Sequence, residues 1–206
     1  MPPSKLTTAP SSSGNNIAAL KRLNSLLLPV AYKDSFYKEI VSSPSLSALS
    51  RVASWGETVV GGICARYEAD TTPSRPLTTT SGNGLASSAS STSSSTSSSG
   101  ASSPGEGMIS PTGIVYNDGK IYIMTLCVLS PFRNLGAASA LLKDVVETAK
   151  SWGIREVYAH VWTENHEALE WYGKRGFVVE EEVIKGYYRK LRPDGARIVK
   201  LMIPRE

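Results

Sequence analysis

The chain has 206 residues, 41% hydrophobic and 19% charged, with 22 Lys and Arg against 18 Asp and Glu for a net charge of +4. That suffices for one domain with a real core, and the mild positive balance suits phosphate-bearing ligands without demanding a nucleic-acid partner. Its two cysteines, Cys64 and Cys127, are far apart with no His clustered beside them, which argues against a disulfide scaffold or a cysteine zinc site and for a reducing, intracellular setting.

Residues 1–14 are rich in Ser and Pro and are expected to be flexible; Thr7-Thr8-Ala9-Pro10 is a poor strand, so an edge strand over 5–9 is left open. Ile17, Leu20, Leu23 and Leu27 then recur at helical spacing behind Asn15 and Asn16, either of which can cap the first turn, and Pro29 ends that helix. The run Leu26 to Ala31 is broken by Pro29 and too short to cross a bilayer, and the start of the chain has no apolar signal-peptide core, so neither membrane nor export is expected. A second helix fits Asp34 to Val41, and Leu49–Ala53 and Thr58–Tyr67 read as a hairpin across Gly56. The next segment, about 69–113, holds a tract from Ala86 to Ser103 in which 12 of 18 residues are Ser. Such a composition buries too little apolar surface to offset its ordering entropy, and a disordered low-complexity loop is expected.

Lys120 to Leu129 is β-branched and aromatic and is predicted as a central strand buried on both faces. Ala138, Leu141, Leu142, Val145, Val146, Ala149 and Trp152 mark an amphipathic helix closed by Gly153. A strand over Glu156–Trp162, a helix from about Asn165 to Lys174 and a closing hairpin of Phe177–Ile184 and Ala196–Ile203 follow. The sum is one α/β domain over 15–206, a mixed sheet flanked by about four helices, with a parallel crossover between the strands at 121 and 162.

The turn between the central strand and the long helix, Leu129-Ser130-Pro131-Phe132-Arg133-Asn134-Leu135-Gly136-Ala137-Ala138, carries the sharpest chemical signal. A strand-to-helix turn with Arg and small residues offers free N–H groups and the helix dipole to a phosphate. Arg133-x-x-Gly136-x-Ala138, then a helix, a strand, and Asn165 and Tyr172 ahead of Gly176-Phe177, resembles the acetyl-CoA signature of the GNAT family of N-acetyltransferases. Leu28-Pro29-Val30-Ala31-Tyr32, Tyr122-Ile123-Met124-Thr125-Leu126, Tyr158-Ala159-His160-Val161 and Gly186-Tyr187-Tyr188-Arg189-Lys190 are similar to segments of the members that acetylate protein N-termini.

The resemblance implies direct acetyl transfer from acetyl-CoA to an α-amino group, chiefly that of Met followed by an apolar residue, with no metal. It implies that Tyr122 and His160 hold a water that takes the amine proton. Backbone N–H groups around Leu126 and Cys127 are expected to meet the oxyanion. Val128 and the turn Arg133, Asn134, Leu135, Gly136, Ala137 and Ala138 would hold pantetheine and pyrophosphate, with Asn165 and Tyr172 beside the thioester. Tyr172 either protonates the thiolate or only packs. Leu28, Pro29, Val30, Tyr32, Met124, Tyr187 and Tyr188 would receive the peptide. The NatA complex and the ribosome are the implied partners, and the cytoplasm, with the nucleus second, the implied location.

Departures from the family are Asn134 in place of a second base, Ala138 in place of Gly, Leu28 in place of an aromatic residue, and the Ser-rich insertion. Two readings compete: acetylation of a lysine or small amine, and a non-catalytic subunit of an acetyltransferase complex. A lysine amine, with pKa about 10.4, would need a stronger base than an α-amino group of about 7.7 to 8.0. No interleaved basic and aromatic groove marks a nucleic-acid module. Replacing 69–113 with a short Gly/Ser turn should leave melting temperature and acetyl transfer nearly unchanged, because long surface loops add little closure cost. A cooperative loss of folding on that replacement would show that the tract is structural.

Overall fold

The computed structural model describes residues 6–69, 108–109, 115–116 and 119–204. Seven strands form one sheet in the order β1 (Leu6–Pro10), β2 (Arg51–Trp55), β3 (Thr58–Ala69), β6 (Gly119–Val128), β7 (Glu156–Trp162), β9 (Ala196–Met202), β8 (Val178–Ile184). Every neighbouring pair is antiparallel except β6 and β7. That one parallel pair is joined by the predicted crossover through α4 (Ala137–Ser151), whose Leu141, Leu142, Val145 and Ala149 are buried.

The open question at the N-terminus resolves as a strand. Leu6–Pro10, expected within a flexible 1–14 segment, pairs along all of β2, and Asn16 Nδ2 ties the start of α1 (Asn16–Leu27) to Pro10 C=O at 2.9 Å. Asn15 occupies the cap position of α1 without a side-chain cap bond. After α2 (Asp34–Ser42) a helix absent from the sequence reading, α3 (Pro44–Leu49), takes Leu49 from the predicted strand. Its local signal is Ser43-Pro44: the Ser side chain accepts the Leu46 N–H, and Pro suits the first helical position, where no N–H is needed. With α5 (His166–Gly173) there are five helices among the described residues, beside the about four expected, with a 3-10 turn at Ser130–Phe132. The predicted loop at 69–113 lies mostly outside the described residues; within and beside it, β4 (Met108–Ile109) pairs antiparallel with β5 (Val115–Tyr116).

The sheet separates two cores. Ile63, Ile121, Ile123, Leu141, Val145, Val157 and Val199 pack on the α4 side, while Leu20, Tyr37, Ile40, Val52 and Cys64 pack under α1 and α2. The close seat of α1 depends on Gly62, where an added Cβ would stand 2.3 Å from Leu20 Cδ1.

The central strand β6 corrects the expectation of burial on both faces: Ile121, Ile123, Thr125 and Cys127 are buried, but Tyr122, Met124 and Leu126 are only half-buried. Pairing with β3 passes from Ile123↔Ala65 to Thr125↔Cys64, so Met124 is an extra, bulged residue. A bulge bends its strand and increases the local twist. Pairing of β6 with β7 ends at Ile123↔Ala159, and beyond this point the two strands part. Leu20→Ala, which removes a fully buried side chain from the smaller core, should cost about 2–5 kcal/mol in a urea titration. A loss under about 0.5 kcal/mol, the scale of a neutral surface change, would show that α1 is not held by this contact.

Candidate active site

The parting of β6 and β7 opens the middle of the sheet. Leu129 N–H donates to Val60 C=O across the β3 edge at 2.8 Å, and N–H direction alternates along a strand. Leu126 and Val128 therefore turn their N–H groups into the gap, whereas Cys127 turns its own to β3. Of the two N–H groups expected to face the gap, that of Leu126 does and that of Cys127 does not, while that of Val128 does. The Cys127 thiol donates to Asn24 Oδ1 at 3.4 Å and is pushed up to about 12 by burial.

At one end of the gap lies a groove of about 440 Å³, walled by Val128, the turn and α5. Arg133, Asn134, Gly136, Ala137 and Ala138 line it; Leu135 does not and is 46% exposed. Gly136, at φ +88°, turns the chain into α4, whose first turn has no side-chain cap. Its opening N–H groups are thus free for an anion. Asn134 stands at φ +62°, a left-handed conformation that Asn tolerates better than most side chains. Backbone geometry thereby accounts for Asn at this position. Arg133 Nε donates to Val128 C=O at 3.3 Å, and its Nη1 lies 3.8 Å from Glu167 on α5.

A second cavity of about 370 Å³ continues along the gap and shares Leu126, Asn165, Ala168 and Tyr172 with the groove. Asn165 caps α5, its Oδ1 accepting the Ala168 N–H at 3.1 Å. Tyr172 is buried with its pKa raised above the ordinary 10.0 by desolvation, so its phenol keeps its proton. The far wall is made of Leu28, Pro29, Val30, Tyr32, Met124 and Tyr188, with His160 from β7. Two phenols pin the entrance loops to the parted strands. Tyr32 Oη donates to Met124 C=O on the bulge at 3.2 Å, and Tyr188 Oη donates to His160 C=O at 3.0 Å. A third cavity of about 240 Å³ shares Pro29, Val30, Tyr188 and Leu191 with the second, so the three form one path across the molecule.

Tyr122 and His160 meet as predicted, ring centroids 5.2 Å apart and edge to face. Tyr187 covers both: its ring stacks on His160 at 4.4 Å, and its hydroxyl lies 2.6 Å from that of Tyr122. Desolvation first, then the Tyr187 contact, raises the Tyr122 phenol well above its ordinary 10.0. Burial lowers His160 below its ordinary 6.5, with Glu68 opposing, and its Nδ1 is buried with no protein partner among the described residues. Tyr158, stacked on Tyr122 at 5.0 Å, hydrogen-bonds Glu68, whose Oε1 accepts from Arg66 Nε at 2.8 Å. Sequence reasoning missed Tyr158 and Glu68, and on the groove wall Ser139, Trp171 and Arg175. The alternation of β7 put Tyr158 on the His160 face, which was the available signal. A larger cavity of about 540 Å³ beside Thr163, His166 and Arg197 contains none of the predicted residues.

The sequence profile described as the Acetyltransferase (GNAT) family matches residues 106–177, which include the bulged strand, the turn, α4, β7 and α5. The chain is 26% identical over 187 residues to N-alpha-acetyltransferase 50 of Danio rerio, covering 90% of this chain and 82% of that protein. It is 26% identical over 192 residues to the probable N-acetyltransferase san of Drosophila melanogaster, covering 93% and 78%. The solved structure of Arabidopsis thaliana Naa50 in complex with the bisubstrate analogue CoA-Ac-MVNAL superposes with a TM-score of 0.64 at 24% identity, covering 95% of this chain and 97% of that one. The chain thus resembles N-alpha-acetyltransferase 50 over most of its length. The matched signature and the fold that surrounds it give this chain the GNAT fold and make it similar to these N-acetyltransferases.

Proposed function

We propose that the chain transfers acetyl from acetyl-CoA directly to the α-amino group of protein N-termini, preferring Met followed by an apolar residue. The observation that carries this reading is the continuous path: a groove suited to phosphate at one end, an entrance of apolar and phenolic side chains flanked by Arg189 and Lys190 at the other, and His160, Tyr122 and the free strand N–H groups between them. The Arabidopsis neighbour is held with an analogue that joins CoA to a peptide beginning Met-Val, which is the geometry such a path accommodates.

The chemistry asks little of a base. An α-amino group with pKa of about 7.7 to 8.0 is partly neutral at pH 7 and sheds its last proton as it attacks the thioester. Neutral His160 accepts that proton through a water, because burial disfavours its charged form. Tyr122 stays protonated and serves by hydrogen bonding, fixing Tyr187 and the water-binding corner. Leu126 and Val128 N–H groups meet the oxyanion. The departing thiol, with pKa of about 8.5, leaves nearly unaided, so the protonated Tyr172 phenol on the groove wall either donates to it or only packs. Cys127, the cysteine on the groove wall, keeps its proton, which favours direct transfer over an acyl-enzyme. By the same resemblance the chain works on nascent peptides in the cytoplasm, beside the NatA complex at the ribosome.

His160→Ala should lower turnover at least about tenfold while acetyl-CoA still binds. Because neutral imidazole is the active form and burial lowers its pKa, the ratio of wild-type to variant kcat/KM should be constant above pH 6.5 and fall only below it. Taking the ratio cancels the titration of the peptide amine. Unchanged turnover, or a ratio that falls above pH 6.5, contradicts the role.

Selectivity follows from the rim. Leu28, Pro29, Val30 and Tyr32 present apolar surface, so an acidic second residue would be desolvated there at a cost of several kcal/mol unless paired. A Met-Leu peptide should be acetylated far faster than Met-Glu or Ser-Glu peptides. Val30→Trp should suppress the Met-Leu reaction, and Leu28 should leave room for Met-Phe. Equal rates for Met-Leu and Ser-Glu would contradict selection by this rim.

A further inference from the structure

The charged side chains on the groove wall are Arg133, Glu167 and Arg175. Arg133 faces Glu167 at 3.8 Å, and Asn134 brings no charge, so without Arg175 the wall would be electrically neutral towards a pyrophosphate. We propose that Arg175, braced by Ser139 and Trp171, is a second pyrophosphate-gripping arm for acetyl-CoA, facing the turn from the end of α5. This rests on the acetyl-CoA reading above and adds to it a residue outside the turn signature.

Arg175 is held in place before any ligand arrives. Its guanidinium lies over the Trp171 ring, 3.9 Å from the centroid, and Nη1 donates to Trp171 C=O at 2.8 Å. Nε and Nη2 both donate to Ser139 Oγ, at 3.2 and 2.8 Å. A guanidinium has five N–H groups, so one on each Nη remains for a ligand oxygen. Among the described residues no carboxylate forms an ion pair with Arg175, in contrast to Arg133. Ser139 is the third residue of α4, so this contact sets the cation beside the helix's free opening N–H groups. With both Oγ lone pairs occupied by Arg175, the Ser139 hydroxyl proton is left to donate to a phosphate oxygen. A planar, stacked guanidinium binds phosphate with little further ordering cost.

Calorimetric titration of the full chain with CoA and with dephospho-CoA tests this. Arg175→Met keeps the apolar stem on Trp171 while removing the charge, and should weaken both ligands by the same factor, about tenfold or more, with unchanged melting temperature. Arg175→Lys should recover part of the loss, and the wild-type advantage should shrink as salt is raised. Unchanged affinity in Arg175→Met overturns the proposal, as does a loss seen with CoA but not with dephospho-CoA, which would move the contact to the 3′-phosphate. Failure of the wild-type chain to bind CoA would instead overturn the acetyl-CoA reading.

Discussion

Everything at the site depends on two parallel strands that stop being neighbours. The register of β6 and β7 holds only through Ile123↔Ala159, directly before the extra residue Met124 in β6. The bulge bends β6 and increases its twist while its pairing to β3 continues, and from that point β7 diverges and leaves N–H groups of β6 without a ladder partner. The penalty for such groups makes the gap a binding site for carbonyl and amide oxygens. Antiparallel pairing to β3 on one side and β9 on the other keeps both strands rigid while they part. Tyr32 and Tyr188 then anchor one entrance loop to each strand, so the width of the gap and the position of the peptide entrance are set by the same two strands.

The two ends of the path are electrically different, and the difference matches the two halves of the reaction. At the groove, the opening helix N–H groups and Arg175, with Arg133 offset by Glu167, leave a positive potential where a phosphate would lie. At the other end, Tyr122, Tyr158, Tyr187 and His160 pack into one aromatic cluster in which burial suppresses charge on every titrating ring for which a shift is resolved. In the proposed reaction a neutral amine attacks a neutral thioester there. A carboxylate free at that point would favour the protonated amine, and Glu68, which acts electrostatically on His160, is engaged by Tyr158 and Arg66.

Patterns that are local in sequence were legible in it. The apolar period of α4, the alternation of β7 and the Arg133–Ala138 turn each depend on residues within one element, and the structure has that helix, that strand and that turn beside a groove. Features set by pairing between distant segments were not. Met124 is bulged because of its register with Cys64 and Ala65, and nothing in its own neighbourhood signals it. The same register decides that Val128 rather than Cys127 turns its N–H into the gap. Leu6–Pro10 is a strand because β2 offers an open edge, which overrides a weak propensity. Asn134 read as a lost charge until its positive φ gave it a conformational reason, and Arg175 was invisible because α5 is brought to the groove only by the fold.

The central claim, that the parted strand and the α4 turn together receive the cosubstrate, is tested most directly by following backbone amides in an NMR titration with CoA and acetyl-CoA. The account predicts that amides of Ala137 to Ser139 shift with either ligand, and that Leu126 and Val128 shift further with acetyl-CoA, while Cys127, bonded to β3, responds least. Shifts centred on the cavity beside Thr163 and Arg197, with Leu126 and Val128 unmoved, would contradict it.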